Sequence, residues 1–269
     1  MRLTTLIAAG LAALALAAGA AAAEPKKSAA TGQSAPSLPN QHYCAKYGKA
    51  DARLVLVGID RSIGEVRPVD KVGIDAVSAA MWRSLKPGDR LQVFTIYDHP
   101  TTRRVLFDDC RPGTSWCLEC RRFPPKEVEF DDNEFRTRVN DLITEVKSKG
   151  APGKNAAKSA IASSIFAAVE SSQAQVKSLL LMSDLLDSET LDLSPPSTLT
   201  AYLRQRRIDI LRERKLIPAL DGADVVVYGI GRDDRMPYPA LGEAEITTLI
   251  DIWTEYFRRS GAKNILISR

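Results

Sequence analysis

Histidine is almost missing from this chain of 269 residues: His42 and His99 are the only two. Neither lies in a motif that would make it a base, so both read as surface or packing residues, and imidazole chemistry has no foothold. No G-x-S-x-G elbow is present to activate a serine. Gly229-Ile230-Gly231 lacks the remainder of a dinucleotide fingerprint. Aromatic residues make up only 6% and do not interleave with a basic patch, and the formal net charge is a mild +4. A general nucleic-acid binder needs a stronger electrostatic footprint than that. Beyond Ala23, no apolar run approaches the ~20 residues of a membrane span.

The first segment is the one long apolar stretch. Met1-Arg2 supplies a short positive start, Leu3 to Ala18 is rich in Ala and Leu, and Ala21-Ala22-Ala23 offers small residues before Glu24. This is the layout of a secretory signal peptide over 1–23, cleaved after Ala23, with an uncleaved anchor helix as the alternative. The first cysteine is Cys44, too far from the cut to carry a lipid. The mature chain is therefore expected to be exported, periplasmic or secreted, and soluble. Residues 24–42 are Ala, Ser, Pro and Lys with little to bury, which reads as a flexible linker. Four cysteines, Cys44, Cys110, Cys117 and Cys120, suit structural disulfides in an oxidising compartment, with three connectivities open. The Cys117-Leu-Glu-Cys120 spacing also admits a zinc knuckle, which would have to recruit Cys44 and Cys110, or a redox pair.

The rest alternates strands and helices. Arg53 to Gly64, RLVLVGIDRSIG, opens with a continuous apolar run, the mark of a strand buried on both faces. A helix follows from Pro68 to Leu85, with Val69, Val72, Ala76, Val77, Ala80 and Met81 on its apolar face. Leu91–Tyr97 and Thr102–Phe107 are the next strands, the latter short and antiparallel. A cysteine-containing insertion spans about 109–127. Helices are expected after Asp131-Asp132 and over Asn155–Ser172, and strands over Lys177–Ser183 and Ala223–Ile230. A helix covers about Thr198–Lys215. The chain closes with a helix over Glu243–Arg259 and a strand over Asn264–Ile267. The fold class is α/β: a three-layer, doubly wound, mostly parallel six-stranded sheet with one antiparallel edge strand, in one domain over 43–269.

Several strands end at acids: Asp60, Asp184, Asp98 and, slightly further out, Asp233. In a parallel sheet these ends share one edge, where clustered carboxylates repel unless a cation offsets them. Oxygen-only ligands fit a hard divalent cation, Mg²⁺ more naturally than zinc, with Mn²⁺ or Ca²⁺ as alternatives.

Asp60-Arg61-Ser62-Ile63-Gly64 after the first strand, and LLLMSDLLDS with Asp184 after the fourth, resemble the von Willebrand factor A domain. In that family an Asp-x-Ser-x-Ser loop, a Thr from a later loop and a strand-ending Asp form a metal-ion-dependent adhesion site. The resemblance spans about Arg53 to Ile267 and implies a Rossmann-like sheet. Here Gly64 replaces the family's second Ser, and Ser159 is the residue best matched to its Thr. The metal site that the resemblance implies comprises Asp60, Ser62, Ser159 and Asp184. Its open coordination position would accept a carboxylate of a partner protein.

The expectation is a protein-binding module and not an enzyme. The competing class is a metal-dependent phosphohydrolase using Asp60 as nucleophile or ligand. Against it, the second Asp of haloacid dehalogenase-like enzymes is replaced by Ser62, and the glycine and hairpin of an actin-like ATP site are missing. A third reading is a structural domain without metal. The basic stretch Arg204–Lys215 reads as a solvated helix face, with an acidic partner as the sharper idea.

Overall fold

The computed structural model describes residues 42–49, 51–60, 68–115, 123–149, 159–193, 199–231 and 241–269. Among these residues six strands form one sheet: β1 (Leu54–Asp60), β2 (Arg90–Ile96), β3 (Val105–Cys110), β4 (Val176–Met182), β5 (Asp224–Tyr228) and β6 (Asn264–Ser268). Their spatial order is β3-β2-β1-β4-β5-β6. All neighbours run parallel except β2 and β3. The α/β sheet with one antiparallel edge strand is therefore as the sequence pattern implies.

The apolar strands are central because they have two faces to bury. Leu54, Leu56, Phe94, Leu179, Leu181, Val225 and Val227 face one core; Val55, Val57, Leu91, Val93, Leu180 and Met182 face the other. Gly58 in β1 is required by closeness: a Cβ there would lie 2.8 Å from Leu181 Cδ2 and 2.9 Å from Phe94 Cζ. Helices α4 (Ile161–Ser172), α5 (Ala201–Glu213) and α6 (Glu243–Arg259) contribute to the first core. α6 seals it with Trp253, Tyr256 and Phe257, all fully buried and in mutual ring contact. Helices α1 (His42–Tyr47), α2 (Pro68–Ser84) and α3 (Pro125–Lys149) contribute to the second.

The differences from the sequence reading are instructive. In α2 the buried seam runs through Ile74, Val77, Ala80 and Met81, and Val72, expected inside, is 66% exposed. Val77, Ala80 and Met81 are buried as the apolar spacing implies; Val72 is not, because α2 takes its final phase from packing on β4, β5 and α3. Helix α1 begins at His42 inside the stretch read as linker. β3 starts later than expected, after a 3-10 turn at Pro100–Thr102, and carries Asp109 and Cys110, which therefore leave the insertion. At the other end Pro125 opens α3, taking Lys126 and Glu127 out of it too. Described helix α4 begins at Ile161, so Ser159 and Ala160 precede it.

Cys44 and Cys110 are disulfide-bonded, joining α1 to the end of β3. That choice removes the four-cysteine zinc site, which needed both sulfurs. Cys117 and Cys120 lie outside the described residues, as do the signal segment and nearly all of the linker. Among the described residues no helix is long and apolar enough to cross a membrane.

Candidate functional site

The sheet order changes direction between β1 and β4: from β1 the chain winds outward to β2 and β3, then returns to β4 and proceeds the other way. Open α/β sheets bind ligands outside the carboxyl ends of strands at such a switch point. Asp60 is the last residue of β1, and the parallel register pairs Ile59 with Met182. The next residues in each strand direction, Asp60 and Ser183, are therefore brought side by side.

Asp60 is buried, and serine hydroxyls engage both of its oxygens. Ser183 Oγ donates to Oδ2 at 2.7 Å, and Ser159 Oγ donates to Oδ1 at 2.9 Å. Ser183 Oγ in turn accepts the Leu185 N–H at 3.0 Å. Asp184 is also buried; its Oδ1 accepts the Leu186 N–H at 2.9 Å, and its carbonyl accepts the Gly231 N–H at 3.2 Å. Leu185, between them, holds a left-handed backbone with φ of 62°, unusual for a branched residue. Its carbonyl accepts the indole N–H of buried Trp253 at 2.9 Å, which ties the turn to α6.

Of the four residues expected to form the site, Asp60 and Ser159 are joined by a hydrogen bond, and Asp184 directly follows Ser183, which also donates a hydroxyl to Asp60. Ser62 and Gly64 lie outside the described residues, and so does Asp233. Asp98 is exposed at the end of β2 and takes no part in these contacts. Among the described residues no group of three His, Cys, Asp or Glu side chains is arranged to hold a metal ion. The donor set that is present mixes carboxylate and hydroxyl oxygens, a chemistry that suits hard cations.

Sequence reading missed Asp187. It is fully buried; its Oδ2 accepts the Ala162 N–H at 2.8 Å, and its Oδ1 accepts those of Thr190 at 2.6 Å and Leu191 at 2.9 Å. Burial pushes its carboxyl up to about 6, against the opposing pull of these backbone donors. Burial and the nearby Asp187 charge also push the Tyr256 hydroxyl upward. In the sequence Asp187 is one acid among several in LLDSETLD, and only the approach of the α4 amino terminus gives it a role.

The basic helix is largely occupied by its own neighbours. Arg204 pairs with Asp251, Arg206 with Glu213 and Arg207 with Asp192. Arg258 and Arg259 of α6 hold the Glu255 carboxyl down at about 2. His99 accepts the Thr101 N–H and stabilises a local turn, and His42 packs edge-on against Tyr43. Compared with protein-family models and with curated proteins, the sequence matches none.

Proposed function

We propose that the chain is an exported protein-binding module similar to von Willebrand factor A domains. In this reading a divalent cation at the carboxyl edge of the sheet bridges the module to an acidic group of a partner protein. Asp60, Ser159 and Asp184, with Ser62 two residues further along the sequence from Asp60, would hold the ion, Mg²⁺ first, with Mn²⁺ and Ca²⁺ as alternatives. The cation would supply a vacant coordination position for the partner's carboxylate. The chain's own residues fix the carboxylate and hydroxyl oxygens and withdraw them from bulk water.

One observation carries the reading: the Ser159–Asp60–Ser183 hydrogen-bonded cluster stands at the β1/β4 switch point, beside Asp184. Export is supported by the signal-like segment 1–23 and by the Cys44–Cys110 disulfide, which suits an oxidising compartment.

Calorimetric titration with Mg²⁺ and Mn²⁺ tests the proposal. Binding by the wild type that is lost in both Asp60→Ala and Asp184→Ala is the expected result. If all three proteins fail to bind, the cation mechanism falls and only the fold remains. The competing reading, a phosphohydrolase using Asp60, is tested by phosphate release from generic phosphoesters. Metal-dependent turnover that vanishes in Asp60→Asn would replace the binding-module reading.

A further inference from the structure

Ser159 supplies a hydroxyl to Asp60 from a position just before α4, outside any described helix or strand. Its backbone is held by the turn that follows β4. Ser188 Oγ accepts the Ser159 N–H at 3.1 Å. The Ser159 carbonyl accepts the N–H groups of Ser188 at 3.0 Å and Glu189 at 3.2 Å. Ala160 N–H adds a bond to the Tyr97 carbonyl at 2.8 Å. The N–H and the carbonyl of Ser159 are thus both gripped by Ser188, 29 positions away in the chain.

The turn making this grip is itself organised by Asp187. One carboxylate oxygen takes the Ala162 N–H at the start of α4, and the other takes the N–H groups of Thr190 and Leu191. The Asp187 carbonyl accepts the Leu193 N–H at 2.8 Å, and Ser163 Oγ meets Thr190 Oγ1 at 3.0 Å. The amino end of α4 and residues 187–193 are therefore hydrogen-bonded into one unit. Because β4 also delivers Ser183 and Asp184, this unit ties both flanks of Asp60 together.

We propose that Asp187 and Ser188 are positioning residues for the Asp60 site, clasping the Ser159 backbone so that its hydroxyl is aimed at the Asp60 carboxylate. The proposal rests on the reading of that site as a cation-dependent one, and it adds two residues that touch no ligand. Partners that orient ligating groups typically change metal affinity about 10–100-fold when removed.

The test uses the full-length protein and its Ser188→Ala and Ser188→Thr variants, with Mn²⁺ as the probe and amide hydrogen exchange over 159–165 in metal-free buffer. Ser188 is half-buried, so both variants are expected to fold, which a thermal melt checks. Ser188→Ala should weaken Mn²⁺ binding about tenfold, and Ser188→Thr, which keeps the acceptor oxygen, should restore it. Exchange at the Ser159 amide should quicken about fivefold in Ser188→Ala, the effect of one lost net hydrogen bond. Equal affinities in a wild type that binds Mn²⁺ overturn the proposal, whatever the exchange shows. If the wild type binds no Mn²⁺, the cation reading fails, and exchange alone decides: faster exchange in Ser188→Ala upholds the clasp, and unchanged exchange removes it as well.

Discussion

The two edges of the sheet bury carboxylates in opposite ways. At the edge where parallel strands begin, the acids are matched by the chain's own cations. Arg90 reaches Asp108 with two bonds of 2.6 Å, and Lys177 reaches Asp89 at 3.0 Å with Lys49 at 3.6 Å. Arg138 reaches Asp109, whose carboxyl burial nevertheless raises, and the Cys44–Cys110 disulfide closes beside it. At the edge where the strands end, the bonds described above to Asp60 come from serine hydroxyls, and those to Asp187 from backbone N–H groups. A carboxylate held by a cation is finished as a structural element. A hydroxyl or backbone N–H donor, by contrast, orders a carboxylate without bringing a charge to it.

That contrast can be broken most forcefully at the cationic edge. Arg90→Leu would strip two charge-assisted hydrogen bonds from buried Asp108, at a cost of about 3–5 kcal/mol in chemical denaturation. If the loss is below 1 kcal/mol, the edge is not held by charge pairing. Reduction of the Cys44–Cys110 bond, which spans 66 residues, is expected to lower stability by about 2–4 kcal/mol. Urea melts with and without reductant measure it, and should leave Mn²⁺ binding at the far edge intact.

At the other edge, Asp187→Asn should cost about 1–3 kcal/mol, because both carboxylate oxygens accept N–H groups and an amide nitrogen must face a donor. Its pH behaviour sharpens the comparison. Burial raises the folded-state value to about 6, above the unfolded one near 4, so the folded state binds this proton more tightly. This group's contribution is therefore most favourable below about pH 4 and is lost as pH rises through about 6. The Asn variant should lack that downward slope, as denaturation at stepped pH would reveal. Ser183→Ala should cost about 1–2 kcal/mol by stripping one hydroxyl from buried Asp60. Smallest of all, Arg206→Ala breaks only an exposed pair with Glu213 and should leave the melting temperature unmoved.

Much of the fold was legible in one dimension. Continuous apolar runs announced β1 and β4, and the phased aromatic and aliphatic residues of α6 announced its bounds. Asp60 and Asp184 were legible as strand-ending acids. Val72 and Ile74 were not, because a helix with apolar residues on more than one side takes its phase from whatever it packs against. Helix α1 was also hidden. Six residues do not hold a helix alone, and this one depends on the disulfide and on Asp109 Oδ1, which accepts the Tyr43 N–H at 2.8 Å. Asp187 and Ser188 carried no local signal at all, since their partners lie in a different segment.

By itself, then, the sequence determined the alternation of buried strands and covering helices, because periodicity and burial are local properties of side-chain order. It also determined that acids follow the central strands. Only the tertiary structure decided which buried acids of the chain meet cations and which are reached by hydroxyls and backbone N–H groups. That decision depends on strand order and register, which bring Ser159, Ser183 and Asp60 together at one end of the sheet and Arg90, Asp108 and Lys177 at the other.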